Sequence, residues 1–351
     1  MMTTANTIDL LKQLICIPSL SRNEQQKSDF LVAFLQEKSC NVHRHKLNVW
    51  CLAQEFDENK PTIMLNSHMD TVRASASWTH APHAATEIDG KIYGLGSNDA
   101  HASLVSLIST FIALKDTPQG YNLLLAISAE EEVSGANGME SLLTVLPKID
   151  FAIVGEPTQM NLAVAEKGLM VLDCVAKGKS GHAAREEGVN AIYKAMSDIE
   201  WFKTYQFDKI SPLLGSVKMS VTVIQAGAQH NVVPDTCNYS VDVRVNECYT
   251  NQEVYEIVQQ HVQSDVSARS FRLNSSYIDL EHPFISKYLS MKPTIFGSST
   301  LSDQSLMRFP TVKLGVGDSA RSHTADEFIC ISEIEEGVAL YTQLLDGLLL
   351  G

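Results

Sequence analysis

The chain has 351 residues, of which 44% are hydrophobic and 19% are charged, and this length favours two globular domains over one. Its net charge of -14 repels phosphate backbones and anionic lipid, so nucleic acid and membranes are not expected as partners. The N-terminal residues lack the features of a signal peptide, no apolar run reaches the roughly 18 residues of a membrane helix, and none of the seven cysteines forms a C-x-x-C pair. We therefore expect a cytoplasmic protein with reduced thiols.

The two ends of the chain alternate helix-like and strand-like segments. Apolar residues at helical spacing predict helices over 7–17, 25–35, 102–114 and 331–350. Short apolar runs predict buried strands over 62–65, 123–127, 151–154 and 311–314. This alternation is typical of an α/β domain with a mostly parallel sheet flanked by helices.

The pattern changes in the middle of the chain. Longer strands are predicted over 171–176, 217–225 and 239–245, with helices over 190–202 and 251–264. A β-α-β-β-α order predicts a small α+β unit with an antiparallel sheet. We expect residues 168–277 to form this unit, inserted into a larger domain built from 1–167 and 278–351.

Potential metal ligands follow the ends of these four short strands and of a fifth one, which ends at Ile92-Tyr93. They are His68, Asp99, the run Glu130-Glu131-Glu132, Glu156 and His323. In open α/β sheets, sites gather at the carboxyl ends of strands. Histidine and carboxylate ligands without cysteine suit Zn²⁺, Co²⁺ or Mn²⁺, and two histidines with three carboxylates can hold two such ions if one carboxylate bridges them. Two ions can share a water, lower its pKa and polarise a carbonyl, while a spare carboxylate serves as general base.

The motifs resemble those of the acetylornithine deacetylase and succinyl-diaminopimelate desuccinylase family, which also contains aminoacylases, dipeptidases and carboxypeptidases. The resemblance covers nearly the whole chain, and an ordered set of motifs is far more specific than any one of them. In chain order the motifs are His68-Met69-Asp70, Asp99, Glu131-Glu132, Gly155-Glu156-Pro157-Thr158, Gly181-His182, Asn231-Val232-Val233-Pro234 and Ser322-His323-Thr324-Ala325-Asp326-Glu327. The resemblance implies a catalytic domain with a two-zinc site and an inserted dimerisation, or lid, domain.

The resemblance also implies a role for each site residue. His68 and Glu156 would bind one metal, Glu132 and His323 the other, and Asp99 would bridge them. Asp70 would accept a hydrogen bond from His68 and so fix its tautomer. Glu131 would be the general base. His182 would reach the active site of the partner subunit in a homodimer and stabilise the developing oxyanion. Substrate contacts are implied for Arg244, Asn231, Ser302 and Asp303, with the arginine pairing a carboxylate.

The chain departs from the family pattern at three places. Glu130 stands where aspartate is usual before the base, Leu95 where arginine is frequent, and Ala100-His101-Ala102 where Met-Lys-Gly is usual. For His101 two interpretations stay open, a support behind the ligands or a wall of the pocket. A non-catalytic relative would have lost a ligand or the base, and this chain keeps all six. A serine hydrolase is excluded because no G-x-S-x-G elbow occurs.

These observations predict a zinc-dependent hydrolase of a small N-acyl amino acid. The motifs around Glu156 and His323 look most like acetylornithine deacetylase, which would place the enzyme in arginine biosynthesis. N-acetylcitrulline, N-acetyllysine and N-succinyl analogues are alternative substrates. A succinyl-diaminopimelate desuccinylase, a metallo-carboxypeptidase and a dipeptidase of the same family are alternative activities.

Overall fold

The computed structural model describes residues 2–350 of the chain. The helices are α1 (Thr4–Cys16), α2 (Gln25–Glu37), α3 (Ala102–Leu114), α4 (Met139–Leu142), α5 (Ala191–Thr204), α6 (Asn251–His261), α7 (Pro283–Leu289) and α8 (Ile331–Leu345). The first nine strands are β1 (Asn41–His45), β2 (Asn48–Leu52), β3 (Thr62–His68), β4 (Thr86–Ile88), β5 (Lys91–Tyr93), β6 (Asn122–Ser128), β7 (Phe151–Val154), β8 (Leu162–Glu166) and β9 (Gly168–Lys177). The others are β10 (Gly181–His182), β11 (Lys218–Ala226), β12 (Val232–Val233), β13 (Thr236–Val245), β14 (Asp265–Ala268), β15 (Ser276–Tyr277), β16 (Ile295–Ser298), β17 (Thr311–Lys313) and β18 (Phe328–Cys330).

The chain divides into two compact units. The first comprises the chain up to Val164, the segment Ile278–Phe296 and the chain from Ser302 onwards. The second comprises Ala165–Tyr277 and Gly297–Leu301. Within residues 2–350, no helix combines the length and the apolar composition that crossing a bilayer requires.

The first unit is organised around a mixed sheet with the strand order β1-β2-β6-β3-β7-β17-β8. Its four central strands, from β6 to β17, are parallel to one another, and all residues of β3, β6 and β7 are buried. Helix α3 is buried along almost its whole length, and its Ser106 and Thr110 satisfy their hydroxyls by donating to the carbonyls of Ala102 and Ser106. This mainly parallel sheet flanked by helices confirms the predicted fold class.

The second unit contains a four-stranded antiparallel sheet with the order β11-β13-β9-β14. Inward and outward residues alternate along β9 and β13, and the inward set joins α5 and α6 in one apolar core. Strand β9 lies between β13 and β14, whereas β11 is an edge strand. Residues 172–175 of β9 pair with β13 on one side and β14 on the other, so this stretch of the strand is not open to pairing with a second copy.

Candidate metal centre

The parallel strands of the first unit bring six side chains together at their carboxyl ends. His68 is the last residue of β3, Glu131 and Glu132 follow β6, and Glu156 follows β7. Asp99 lies in the turn Ser97–His101 before α3, and His323 follows a short turn after β17. Ligand atoms of His68, Glu131 and Glu156 all lie within 4.8 Å of one another, as do those of His68, Asp99 and Glu132. The sequence pattern at strand ends thus corresponds to one cluster in space.

Asp99 occupies the middle of this cluster. Its Oδ1 lies 3.3 Å from Nε2 of His68, and its Oδ2 lies 3.6 Å from Nε2 of His323. Nε2 of His323 also lies 2.9 Å from Oε2 of Glu132, and Nε2 of His68 lies 3.6 Å from Oε1 of Glu156. One carboxylate therefore faces two histidines, each of which has a second carboxylate beside it. This is the arrangement that a bridging ligand requires.

The His68 ring is held from behind by Asp70. Nδ1 of His68 donates to the backbone oxygen of Asp70 at 3.0 Å and lies 3.4 Å from its carboxylate oxygen Oδ1. The shorter contact is to the carbonyl, so the tautomer that exposes Nε2 to the cluster is fixed by backbone as well as by the predicted carboxylate. The Asp70 carboxylate also accepts the backbone N–H groups of Glu131 and Glu132, at 3.1 and 3.2 Å.

The cluster perturbs the titration of its members. Burial and then the charge of Glu156 raise the pKa of Glu131 well above its ordinary value. Burial likewise raises the pKa of Glu156 to about 8. Burial alone would lower the pKa of His68, but the Asp70 and Asp99 carboxylates raise it well above 6.5. The hydrogen bond to Glu132 raises the pKa of His323 to about 9. Without cations the cluster therefore retains protons at neutral pH.

The residues fit a pair of divalent cations. Within residues 2–350, Oε1 of Glu156 is buried and has no hydrogen-bond partner, although His68 and Glu131 offer ligand atoms close to Glu156. A buried oxygen without a donor is costly unless a cation satisfies it. Imidazole and carboxylate donors without thiolate are typical ligands of zinc, cobalt and manganese.

Known proteins resemble this chain in sequence along nearly its whole length. A family model described as peptidase family M20/M25/M40 matches residues 64–347, which is most of the chain. The chain belongs to this peptidase family. It is similar to a succinyl-diaminopimelate desuccinylase of Orientia tsutsugamushi, with 25% identity over 96% of this chain and 95% of the relative. These relationships identify this M20-family chain as an amide-bond hydrolase.

Solved structures of other proteins share its fold. A tripeptidase from Staphylococcus aureus superposes with a TM-score of 0.79 at 20% identity and covers 98% of both chains. A dinuclear metal-binding M20 peptidase from Bacillus subtilis superposes with a TM-score of 0.73 at 18% identity and covers 97% of both chains. The comparisons reach the level of the family, so the finer resemblance to acetylornithine deacetylase stays a prediction.

Glu130 differs clearly from its neighbour Glu131. It is almost fully buried, its backbone is left-handed with φ of 56°, and its carboxylate accepts from Nδ2 of Asn137 at 3.0 Å. Its backbone N–H donates to Glu24. Glu130 therefore holds the turn, whereas Glu131 belongs to the cluster of ligand atoms.

The sequence analysis did not predict a buried lysine behind the cluster. Lys27 on α2 is 1% exposed, and its Nζ lies 2.9 Å from Nε2 of His101, which also lies 3.1 Å from the backbone oxygen of Met69. Burial lowers the pKa of Lys27 well below its usual range. Lys27 precedes Leu31 and Leu35 by four and eight residues, so helical periodicity alone would have put it on the buried face. His101 is fully buried and so supports the site from behind.

Two predicted substrate contacts of this M20-family chain lie in the first unit, and both are buried. Ser302 is 2% exposed and its hydroxyl accepts the backbone N–H of Gln304 at 3.4 Å. Asp303 is 5% exposed and its Oδ2 accepts from the hydroxyl of Ser128 at 2.6 Å. Both side chains thus have protein partners, and their positions lend no support to a substrate contact.

Three predicted residues lie in the second unit. Arg244 forms a bidentate pair with Asp242, with N···O distances of 2.8 and 3.1 Å. Asn231 is exposed, and so is His182, whose Nδ1 accepts the backbone N–H of Ala184 at 3.1 Å. The last contact leaves Nε2 of His182 as the donor on the exposed side of the ring.

Proposed function

We propose that this protein hydrolyses the amide bond of a small N-acyl amino acid, in the manner of an acetylornithine deacetylase, with two divalent metal ions. One observation carries the proposal. The two oxygens of Asp99 face His68 and His323 separately, at 3.3 and 3.6 Å, and the Glu131 carboxylate stands in the same cluster. A bridging carboxylate with a free carboxylate beside it is what metal-assisted amide hydrolysis needs.

We assign the metal ligands as follows. His68 and Glu156 would hold one ion, Glu132 and His323 would hold the other, and Asp99 would contribute to both. Zn²⁺ is proposed first, with Co²⁺ and Mn²⁺ as alternatives that suit the same donors. When bound, the ions supply Lewis acidity that polarises the scissile carbonyl and acidifies water.

Glu131 is the proposed general base. It takes a proton from the attacking water as the new C–O bond forms, and it delivers that proton to the amine nitrogen as the C–N bond breaks. Burial supports this role, because it raises the pKa of Glu131 above its ordinary value and so makes the carboxylate a stronger proton acceptor. Asp70 holds Glu131 in place through its backbone N–H.

The proposed substrate carries a free α-carboxylate. A net charge of -14 disfavours anions in general, so a local cation is needed to bind one. We propose Arg244 and Asn231 as the contacts, with Arg244 exchanging its Asp242 partner for the substrate, whereas Ser302 and Asp303 lose support because they are buried. N-acetylornithine is the proposed substrate, and N-acetylcitrulline, N-acetyllysine and N-succinyl amino acids are the alternatives.

We also propose a homodimer in which His182 works in trans. Strand β11 is an unpaired edge whose Val223 and Ile224 are 49% and 53% exposed, which suits pairing with a second copy. The exposed His182 would then donate to the oxygen that gains charge during attack.

The test is an assay with a substrate panel. Protein stripped by a chelator is assayed alone and with Zn²⁺, Co²⁺ or Mn²⁺ against N-acetyl and N-succinyl amino acids, with α-carboxamide versions as matched controls. We expect activity only with metal, and only on substrates with the free carboxylate. Full activity in the stripped protein would contradict the proposal.

A desuccinylase or a dipeptidase is the second candidate, and it is favoured by the 25% identity to the Orientia desuccinylase. The same panel, extended with dipeptides, separates the candidates through the ratio kcat/KM. Preference for N-succinyl-diaminopimelate or for dipeptides over every N-acetyl amino acid would replace the deacetylase proposal and leave the metal chemistry unchanged.

A further inference from the structure

Asn98, which is no metal ligand, binds the backbone of Asp318 on two sides. The Asn98 side chain is fully buried. Its Oδ1 accepts the N–H of Asp318 at 2.9 Å, and its Nδ2 donates to the carbonyl of Asp318 at 3.0 Å. One amide side chain therefore satisfies both backbone groups of a residue 220 positions away, as a neighbouring strand would. Asn98 immediately precedes Asp99, and Asp318 opens the segment that carries His323.

Two further contacts tie the same two segments together. The hydroxyl of Ser322, next to His323, accepts from Nδ2 of Asn98 at 3.4 Å. Glu327 is 2% exposed, and its carboxylate accepts three backbone N–H groups from the turn around Asp99 (96–101). These groups belong to Gly96, Asn98 and Asp99, at 3.0, 2.7 and 2.8 Å.

The backbone near Asn98 is shaped for this contact. Gly317 has φ of 93°, in the left-handed region that favours glycine, and a Cβ at this position would collide with Oδ1 of Asn98. A side chain at 317 would push the segment 318–327 away from the Asp99 turn. The close approach of the two segments therefore depends on three residues, Asn98, Gly317 and Glu327.

We propose that Asn98 and Glu327 are positioning residues that fix Asp99 and His323 relative to each other. The Asp99 turn (96–101) and the His323 segment (318–327) are then held rigidly together. This sets the distance between the Asp99 carboxylate and the His323 ring before any cation binds. Neither residue touches the ligand atoms of the cluster. The inference rests on the proposed metal-binding function.

The test compares Asn98→Ala and Glu327→Gln with wild type. Glu327→Gln keeps the shape but replaces one acceptor oxygen by an NH₂ group, which cannot accept the backbone N–H groups. Zn²⁺ affinity is measured by competition with a fluorescent chelator, and Co²⁺ absorption spectra report the ligand geometry. We expect the affinity for the more weakly bound Zn²⁺ to fall by roughly 10- to 100-fold, which is the usual effect of removing a residue that hydrogen-bonds to a metal ligand. The Co²⁺ spectrum should change as well.

The matched control is Asn122→Ala. Asn122 is also a buried asparagine whose Nδ2 donates to two backbone carbonyls, those of Asp57 and Lys60, and none of these residues belongs to the cluster. We expect it to lower the melting temperature of the metal-free protein while Zn²⁺ affinity and the Co²⁺ spectrum stay at wild-type values. If Asn98→Ala behaves like Asn122→Ala, the inference is overturned.

A milder variant covers the case in which Asn98→Ala fails to fold. Ser322→Ala removes only one hydroxyl from the link, and we expect a smaller loss of Zn²⁺ affinity in the same direction. Unchanged affinity in Ser322→Ala and Glu327→Gln together would also overturn the inference. Wild-type protein that binds no divalent metal would instead refute the proposed function, so the two failures are distinguishable.

Discussion

The carboxylate oxygen Oδ1 of Asp70 accepts the backbone N–H of Glu131 at 3.1 Å, and the same oxygen lies 3.4 Å from Nδ1 of His68. One buried carboxylate therefore orients a proposed metal ligand and the proposed base together. Because Asp70 is fully buried and also accepts from the hydroxyl of Ser21, it has little freedom to move. The relative position of His68 and Glu131 is thus set by residues outside the cluster of ligand atoms.

Glu131→Gln should separate metal binding from catalysis. Glutamine keeps the shape and the backbone N–H to Asp70 but cannot accept the proton of water. We expect kcat to fall by about 10²- to 10⁴-fold, the usual weight of general acid–base catalysis, with metal content unchanged. The measurement is kcat together with elemental analysis of the same preparation.

Glu130→Gln is the matched control for that variant. Glu130 bonds to Asn137 within its own turn, so its loss of charge should affect the melting temperature and leave kcat near the wild-type value. A large fall in kcat for Glu130→Gln, with an unchanged kcat for Glu131→Gln, would mean that the two adjacent residues have been assigned in the wrong order.

Metal uptake should release protons. In the metal-free cluster the pKa of Glu156 is raised to about 8 by burial, and the pKa of His323 is raised to about 9 by Glu132. Both groups hold protons at neutral pH that a cation must displace, so apparent affinity should rise with pH up to about these values. Calorimetric titration of Zn²⁺ in two buffers of different ionisation enthalpy counts the protons released. Equal heats in both buffers would contradict the prediction.

The sequence predicted the cluster of metal ligands because buried apolar strands can be recognised in a sequence and the carboxyl ends of parallel strands meet at one edge of the sheet. The five proposed ligands each follow a predicted strand, and the ordered motifs then assigned their roles. These ligands are His68, Asp99, Glu132, Glu156 and His323. The residues that position the ligands could not be predicted from the sequence in the same way. Asn98 acts on Asp318, 220 residues further on, and no local pattern encodes which loops will meet.

Lys27 was missed for a different reason. A charged residue in an amphipathic helix is normally assigned to the solvent face, although here helical spacing to Leu31 and Leu35 put it on the buried one. The substrate contact predicted for Asp303 stays a prediction. Family resemblance placed it at the substrate, whereas its carboxylate is buried against Ser128, and burial of this kind depends on packing that a motif does not record.

Lys27→Met should flatten the dependence of stability on pH. Burial lowers the pKa of Lys27 well below its unfolded value of 10.5, so between the two values the unfolded chain binds one more proton than the folded chain. Stability therefore rises with pH across this window, by up to about 1.4 kcal/mol per pH unit for one proton. Methionine has similar length and no proton, so the variant should lose this contribution.

The measurement is the free energy of unfolding by denaturant at a series of pH values between about 8 and 10. Lys194→Met, which changes an exposed lysine on α5, is the control and should keep the wild-type slope. A Lys27→Met slope equal to that of wild type would show that Lys27 is charged in the folded protein.

A mixed dimer tests whether His182 works in the partner's active site. His182→Ala and Glu131→Gln should each be nearly inactive alone, since loss of an oxyanion donor costs about 3–4 kcal/mol of barrier. In a heterodimer one site combines the intact Glu131 of one chain with the intact His182 of the other, while the second site lacks both. Equal mixing makes half of all dimers heterodimers, so activity should recover to about a quarter of the wild-type value.

Subunit exchange must be verified in the same sample, and the exposed edge of β11 provides the means. Ile224→Lys introduces a charge on that edge, where Ile224 is 53% exposed, and should prevent pairing between copies without disturbing the core. Adding this substitution to both chains should abolish the recovered activity and shift the sedimentation of the protein to 38.6 kDa. Recovery that survives in monomers, or no recovery despite proven exchange, would exclude a role for His182 in trans.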